Sequence, residues 1–230
     1  MLPRLKNEAR KLNGQIVSMA NSSDPYPNLD EETGLTRKCL EVLSGQNCKV
    51  QIITKSDLVV RDADLLMKMR SMVSVTVTTD NDDTAKLIEP HAPLSSDRLE
   101  AVKTLIEKGI PVSVRVDPII PFLNDKPESL MKTVASIGVR HVTASTCKIK
   151  SDSWKRLSTA LPEIARKLEP LYFERGERTA GYTYLPLNLR IDLLKTVKDL
   201  TGKYSMQFGT CREGLAQLNT ATCDGSWLLS

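Results

Sequence analysis

The chain has 230 residues, of which 40% are hydrophobic and 26% charged, and its formal net charge is +4. This length suits one large α/β domain with its own core, or one domain with a small appendage. No apolar run approaches the ~18 residues of a membrane span, and the first residues lack the apolar segment of a signal peptide. The sequence therefore predicts a globular cytoplasmic protein with no membrane partner.

Short apolar runs recur along the first two thirds of the chain. There are five of them, at residues 15–20, 49–54, 72–79, 110–117 and 139–145. An amphipathic helical pattern follows each run, and a further helical pattern precedes the first. Strands that alternate with helices are typical of repeated βα units and a parallel sheet. The sequence thus predicts an α/β fold with five parallel strands in this part of the chain.

The predicted strands carry polar residues at alternate positions, whereas parallel strands are normally covered on both faces and apolar throughout. In the third and fourth runs, valines alternate with serine, threonine, arginine or aspartate. A buried polar group without a partner costs about 1–3 kcal/mol, so such a face needs polar surroundings. A wet, ligand-holding barrel interior would supply them, and it would contain Thr76, Arg115, Asp117, Thr143 and Ser145.

The pattern changes after residue 147. The elements expected there, in chain order, are a long helix kinked at Pro162, a mobile or ligand-ordered polar loop, a helix, a strand and a last helix, over residues 154–168, 175–184, 187–200, 204–208 and 211–218. We therefore expect two domains. The first is a barrel over residues 1–147, and the second is a mostly helical C-terminal extension over residues 148–230.

The excess positive charge lies in one segment, residues 140–178. It has nine Lys or Arg and five Asp or Glu residues, which leaves 23 of the 32 basic and 23 of the 28 acidic residues elsewhere. Clustered basic residues indicate a phosphate-rich partner such as nucleic acid. A solvated helix face is the alternative, and the spread of only four excess charges over the segment favours it.

The five cysteines are odd in number and irregularly spaced, with no CxxC pair, so disulfides are not expected. Cys39 falls on a helix pattern and is interpreted as a small core residue. Cys147 lies at a strand end, and Cys211 and Cys223 flank the last predicted helix. These three are candidate metal ligands, although their spacing matches no strong ligand pattern.

Several segments carry a resemblance to known enzymes. They are residues 16–26 (IVSMANSSDPY) with 34–37 (GLTR), 53–56 (ITKS) with 61–62 (RD), 89–93 (EPHAP) with 98–99 (RL), and 109–112 (GIPV) with 117–121 (DPIIP) and 124–125 (ND). The chain resembles the radical S-adenosylmethionine (SAM) superfamily, in its spore photoproduct lyase-like branch. The resemblance covers roughly residues 10–147.

The resemblance implies a partial parallel (βα)6 barrel with a [4Fe–4S] cluster, held by a CxxxCxxC motif after the first strand. It also implies SAM as cofactor, cleaved to a 5′-deoxyadenosyl radical that removes a substrate hydrogen. This sequence has no CxxxCxxC motif, and the cluster needs several thiolates. We therefore expect a barrel that lacks its first βα unit and is inactive alone. Its missing partner would be a cluster-bearing N-terminal segment; a cluster-less relative is the alternative.

The resemblance matches Ser23, Lys55 and Thr76 to positions near SAM, whereas Arg115 is a candidate because an arginine between two strand valines lies either inside the barrel with a partner or at an open sheet edge. The predicted set comprises Ser22, Ser23, Asp24, Lys55, Ser56, Thr76 and Arg115. A lysine at the second strand end can contact the methionine carboxylate, Thr76 would face the ribose, and Arg115 would point into the barrel with Asp117 or Glu89 as its carboxylate partner. Glu89 and Arg98 could instead form a structural ion pair. The photoproduct lyases carry a hydrogen-donating cysteine near the matched serine, and the absence of a thiol here argues against thymine-dimer repair.

Two other functions remain open from the sequence. Lys55 at a strand end could form a Schiff base, as in aldolase-type barrels. Residues 140–178 could form a nucleic-acid-binding module with the barrel as its scaffold. An aromatic content of only 4% provides few stacking platforms for bases.

Overall fold

A computed structural model describes residues 1–19 and 23–230. Its strands are β1 (Ile16–Met19), β2 (Lys49–Thr54), β3 (Arg70–Thr76), β4 (Val112–Ile119), β5 (His141–Thr146), β6 (Glu177–Thr179), β7 (Tyr182–Tyr184) and β8 (Gln207–Thr210). Its α-helices are α1 (Leu2–Ala9), α2 (Asn28–Thr33), α3 (Leu35–Ser44), α4 (Ala63–Leu66), α5 (Asp82–Ile88), α6 (Ser95–Glu107), α7 (Glu128–Ile137), α8 (Ser151–Ala160), α9 (Pro162–Phe173) and α10 (Leu187–Lys203). Short 3₁₀ turns cover Asp57–Asp62, Ala216–Leu218 and Ser226–Leu229.

Six strands form one parallel sheet in the order β1-β2-β3-β4-β5-β8. The first five are the strands predicted from the apolar runs. The α/β class and its parallel sheet are therefore confirmed. β1 and β8 lie at the two edges, and the sixth strand comes from beyond residue 147. The division at residue 147 stays a prediction, but the sheet itself extends across it.

The two faces of the sheet differ in chemistry, as the alternating pattern predicted. Val73, Val75 and Val77 are fully buried and pack with the helices in the main hydrophobic core. Ser74 and Ser113 lie on the opposite, inward face, where they are buried and their hydroxyls are 3.0 Å apart. Because the inward face is buried and polar, it needs hydrogen-bond partners from the chain itself or from a ligand.

The last residues of the chain cover this inward face near the amino ends of the strands. Gln51 Nε2 donates to the carbonyl of Asp224 at 2.9 Å, and Thr143 Oγ1 donates to the carbonyl of Cys223 at 3.0 Å. At Gly225, whose φ is +79°, an added Cβ would lie 3.1 Å from the His141 ring. A glycine is therefore required where the tail passes over the sheet.

The region after residue 147 corrects several predictions. Pro162 starts a new helix instead of kinking one, because a proline is well tolerated in the first turn. The expected loop at 175–184 is the antiparallel hairpin β6–β7, whose turn has positive φ at Ala180 and Gly181. These values match the backbone that a tight two-residue hairpin requires.

The last strand and the last helix also differ from expectation. Helix α10 continues to Lys203, and Ser205 at φ +57° ends it, so the strand begins at residue 207 rather than 204. Residues 211–218 do not form a helix, because Arg212 and Gly214 both adopt positive φ and interrupt helical geometry. Within this stretch a single 3₁₀ turn forms, over Ala216–Leu218.

None of the helices in the described ranges has both the length and the apolar character needed to cross a membrane. This finding is in line with the hydropathy of the sequence.

His141 makes the stability of this fold depend on pH. Its ring is fully buried, Trp227 Nε1 donates to its Nδ1 at 2.9 Å, and burial lowers its pKa to about 4. The pKa of an unfolded histidine is about 6.5. Between this pH and about 4, the unfolded state therefore binds a proton that the folded state does not bind. We expect the free energy of unfolding to fall by about 2 kcal/mol between pH 7 and pH 5 from this group.

Urea denaturation at the two pH values measures this loss. His141→Asn keeps an acceptor for Trp227 and should remove most of the pH dependence, whereas His91→Asn, at an exposed histidine, should leave it intact. Equal pH dependence in wild type and His141→Asn would contradict the assignment.

Candidate functional site

A cavity of about 690 Å³ opens at the carboxyl ends of the parallel strands. All six strands, or the residues that follow them, contribute to its wall, so the sheet curves around it. The lining residues are Ser18, Gln51, Ile53, Lys55, Thr76, Arg115, Asp117, Pro118, Ser145, Thr146, Cys147, Lys148, Tyr182, Tyr184, Cys211, Arg212 and Asp224. We call it the strand-end cavity. Parallel α/β folds place ligands and catalytic groups at this end of their strands.

Arg115 lies in the wall of this cavity, as predicted. It is 7% exposed, and its Nη2 donates to Asp117 Oδ2 at 2.8 Å. Burial is the largest single influence and lowers the pKa of the guanidinium, but the Asp117 carboxylate and the Cys211 side chain together outweigh it, and the pKa is raised. Of the two predicted partners, Asp117 is therefore the correct one and Glu89 is not. The cavity wall therefore contains a permanent positive charge that is largely buried.

Lys55 is held at the cavity by an ion pair with Glu89. Its Nζ lies 2.7 Å from Glu89 Oε1, and the other carboxylate oxygen of Glu89 lies 2.6 Å from Nη1 of Arg98, which is fully buried. The predicted Glu89–Arg98 pair is therefore confirmed. Because Arg98 holds the Glu89 carboxylate in place, Glu89 in turn fixes the position of Lys55. The side chain of Lys55 is 40% exposed, so its ammonium can still meet a ligand.

Asp24 fixes the loop after β1 onto the end of β2. Its carboxylate accepts hydrogen bonds from Thr54 Oγ1 and the backbone N–H of Lys55, both at 2.6 Å, and from the N–H of Tyr26 at 2.9 Å. With its oxygens engaged in this way, Asp24 positions Lys55 from outside the cavity. Ser56 plays a comparable role, because its hydroxyl accepts from the N–H of Leu58 and caps the following turn.

The predicted SAM residues thus divide into two groups. Lys55, Thr76 and Arg115 line the strand-end cavity together. Ser23 is exposed and lies with Asp24 along a separate groove beside β1. Ser22 lies outside the described residues.

A buried carboxylate, Glu213, organises the far wall of the cavity. It accepts hydrogen bonds from Ser145 Oγ at 3.1 Å, from the Thr146 N–H at 2.8 Å and from the Thr146 hydroxyl. Its side chain is fully buried and lies 3.0 Å from Lys148 Nζ and 3.4 Å from Arg190 Nη1. One carboxylate therefore joins the end of β5, helix α10 and the loop after β8.

The hairpin β6–β7 is attached to this cluster and supplies two aromatic side chains to the cavity. Arg190 Nη2 lies 2.7 Å from Glu177 Oε2 on β6, and the Arg190 guanidinium is 5.1 Å from the ring centroid of Tyr184. At Gly176 an added Cβ would come within 2.7 Å of the Tyr184 carbonyl. This close approach fixes the hairpin against α9, so that Tyr182 and Tyr184 face the cavity.

The three candidate metal-ligating cysteines do not meet. Cys147 and Cys211 both line the strand-end cavity, and Cys223 is exposed. Within residues 1–19 and 23–230, no group of three His, Cys, Asp or Glu side chains is placed to hold a metal ion. Metal ligation by these cysteines stays a prediction: Cys147 and Cys211 share the cavity, whereas Cys223 lies on the tail against Gly209 of β8.

Sequence reasoning missed Glu213 and both hairpin tyrosines. Tyr182 and Tyr184 alternate with Thr183, a period-two signal that could have indicated a strand. Glu213 had no such signal. It follows a strand at the far end of the chain, and only the folded arrangement brings it to Lys148 and Arg190.

The sequence model of a protein family, the radical SAM superfamily, matches residues 3–137. The chain belongs to the radical SAM superfamily. The match covers β1 to α7 and therefore the part of the strand-end cavity that is lined by β1, β2, β3 and β4.

Curated relatives of this radical SAM protein come from an archaeon, a virus and a bacterium. An uncharacterized protein of Methanocaldococcus jannaschii is 38% identical over 117 residues, which cover 50% of this chain and 44% of that protein. One of Acidianus two-tailed virus is 34% identical over 145 residues, covering 60% and 48%. One of Mycobacterium tuberculosis is 25% identical over 205 residues, covering 84% and 58%. The chain spans about half the length of these relatives.

Solved structures show the same fold at low sequence identity. Spore photoproduct lyase complexed with dinucleoside spore photoproduct aligns with a TM-score of 0.64 and 16% identity, over 88% of this chain and 60% of that one. A double mutant of the lyase with bound AdoMet aligns with a TM-score of 0.62 and 15% identity, over the same shares. A radical SAM methyltransferase from Sphaerobacter thermophilus aligns with a TM-score of 0.51 and 12% identity, over 91% and 54%.

Membership of the superfamily implies SAM and a [4Fe–4S] cluster, and the residues of this chain fit the two groups differently. The strand-end cavity holds Lys55 and Arg115 as cations for a carboxylate and Asp117 for an ammonium group. The volume of about 690 Å³ also suits a ligand of this size. The cluster does not fit, since the described residues provide no group of three ligating side chains.

Glu213 predicts a large and local effect on stability. In Glu213→Gln, Lys148 would remain largely buried without a counter-charge, and Arg190 would keep only the half-exposed Glu177; an uncompensated buried charge costs about 3–5 kcal/mol. We expect a loss of that size in the free energy of unfolding, measured by urea denaturation.

Glu177→Gln is the matched control, because Glu177 pairs with the same arginine but is 48% exposed. A partly exposed ion pair contributes about 0–1 kcal/mol, so this variant should unfold almost as the wild type does. Similar losses in the two variants would refute the central role given to Glu213.

Proposed function

We propose that this chain is the SAM-binding barrel portion of a radical SAM enzyme that removes a hydrogen atom from its substrate. The observation that supports this proposal is the convergence of Lys55, Thr76 and Arg115 on one cavity at the strand carboxyl ends. Bound SAM and a reduced cluster supply one-electron cleavage of a carbon–sulfur bond. A cytoplasmic location is part of the same proposal.

The side chains of the cavity have distinct tasks in this proposal. Lys55 and Arg115 are the cations within reach of the methionine carboxylate, and their own carboxylate partners hold them in place. Thr76 presents its hydroxyl from an inward position of β3, where it is suited to a ribose. The tail carbonyls of Cys223 and Asp224 accept hydrogen bonds from Thr143 and Gln51, so the tail closes the inward side of the cavity opposite its opening.

The cluster ligands would come from another polypeptide segment, and the β1 edge is where we propose that it docks. A groove of about 710 Å³ beside β1 is lined by apolar side chains, among them Met1, Leu29 and Leu35, which are exposed. At the other edge, the N–H of Thr210 on β8 donates to the Asn219 side chain at 2.7 Å. One edge of the sheet is thus covered, whereas at the other edge β1 pairs with β2 alone among residues 1–19 and 23–230, so we propose that an added strand pairs there.

The other two functions considered from the sequence have less support. Lys55 Nζ is engaged by Glu89 Oε1 at 2.7 Å, whereas a Schiff-base lysine needs its amine free to attack a carbonyl. A nucleic-acid surface formed by the whole of residues 140–178 has less support, because ion pairs within the chain engage part of its positive charge. Three cations of this segment are already paired, Lys148 with Glu213, Arg156 with Asp152 and Arg166 with Glu163.

Calorimetric titration with SAM and with S-adenosylhomocysteine tests the proposed cofactor site. Arg115→Gln and Lys55→Gln should each weaken binding about tenfold, equivalent to about 1.4 kcal/mol, because each removes a cation that faces the ligand carboxylate. Thr76→Val should weaken it several-fold through loss of one hydroxyl. Arg156→Gln removes a positive charge far from the cavity and serves as the control.

Two results would contradict this assignment. One is that wild-type protein binds neither compound at millimolar concentration. The other is that all three cavity variants bind as tightly as the control does. Urea denaturation of each variant separates a lost contact from a lost fold.

Reconstitution tests the proposed cluster segment. A hybrid that carries a CxxxCxxC-bearing βα unit ahead of β1 should gain the visible absorption of an iron–sulfur cluster and cleave SAM under reducing conditions. The same hybrid with its three motif cysteines changed to alanine should do neither. A folded, cluster-loaded hybrid that leaves SAM intact would refute the proposed function.

A further inference from the structure

A second cleft, of about 550 Å³, lies on the C-terminal side of the molecule, between the hairpin β6–β7 and the helices α8 and α9. Its lining residues are Ile149, Lys150, Ser151, Trp154, Phe173, Arg178, Thr179, Ala180, Gly181, Tyr182 and Thr183. We call it the hairpin cleft. Tyr182 also borders the strand-end cavity, so the two spaces are neighbours on either side of the hairpin.

Three aromatic rings line the hairpin cleft, although the whole chain has few. Trp154 and Phe173 are edge to face, with centroids 5.1 Å apart and an interplanar angle of 80°. Phe173 is 50% exposed, which is unusual for so large an apolar side chain. Together with the partly exposed Tyr182, these rings offer flat faces on which a planar ligand can stack.

The charge of the hairpin cleft has one sign. Lys150 and Arg178 line it, and none of its lining residues is acidic. Among the described residues, neither cation has a carboxylate within 4.0 Å, whereas Lys148, Arg156 and Arg166 of the same segment are paired. Lys150 Nζ instead lies 4.3 Å from the centroid of the Tyr182 ring, so its charge stays at the aromatic surface.

We propose that the hairpin cleft binds a nucleotide, with the base stacked on the aromatic rings and the phosphate held by Lys150 and Arg178. A planar ring joined to an anion matches this combination of flat apolar faces, unpaired cations and absent carboxylates. The ligand is either a free nucleotide or one nucleotide of a single strand, since both present the same chemistry. The proposal does not depend on radical chemistry and can be tested without SAM or a cluster.

Fluorescence anisotropy with a labelled octathymidylate, and its competition by adenosine 5′-monophosphate, tests this site in the full chain. Lys150→Ala with Arg178→Ala should weaken oligonucleotide binding at least tenfold. The slope of log K against log salt should fall by about 0.7, because the two cations hold one phosphate and about 0.7 is lost per phosphate contact on a single strand. Phe173→Ala, a second variant at a half-exposed position, should weaken binding several-fold with little change in the salt slope.

Lys155→Ala with Arg166→Ala is the control, because it removes the same charge from the same segment outside the cleft. It should bind within twofold of wild type. Competition by the mononucleotide supports the proposal with a free nucleotide as ligand, and oligonucleotide binding without such competition supports it with a single strand. No binding of either probe, or equal weakening in the cleft and control variants, overturns it.

Discussion

The structure depends on a polar face that is buried inside a parallel sheet. Parallel strands are normally apolar on both sides, but here the inward positions of β3, β4 and β5 carry hydroxyl, imidazole and guanidinium groups. Each must find a partner, since an unpaired buried group costs about 1–3 kcal/mol. These polar groups find partners in different ways at the two ends of the strands. One end of the inward face is closed by protein, and the other opens into a cavity.

At the amino ends, the chain supplies the partners itself. Carbonyl groups of the tail accept from Gln51 and Thr143, and Trp227 donates to His141, so this end is closed by protein. At the carboxyl ends, the polar groups surround a cavity instead. Fixed charges with their own internal partners, such as Arg115 beside Asp117, are preorganised for a ligand and need little rearrangement when it binds.

Much of the first 147 residues could be predicted because the signals are local. Alternating valines identify β3 and β4, and glycines mark the ends of α6 and α7. The resemblance assigned Lys55 and Thr76 to one site and the strand pattern added Arg115, and these three do share the strand-end cavity. Ser23 and Asp24 were harder, because a motif position does not say whether a side chain faces a ligand or braces a loop. Asp24 braces its loop through three hydrogen bonds.

The sequence by itself determined the α/β class, the positions of the first five strands along the chain, the polar inward face and the family. All of these follow from periodicity and short motifs within single elements. Tertiary structure alone decided that the last predicted strand joins the sheet beside β5, and it decided the tail over the sheet, the hairpin and the role of Glu213. Glu213 meets Ser145 across 68 residues of sequence, and a contact between such distant positions leaves no local pattern that reveals it.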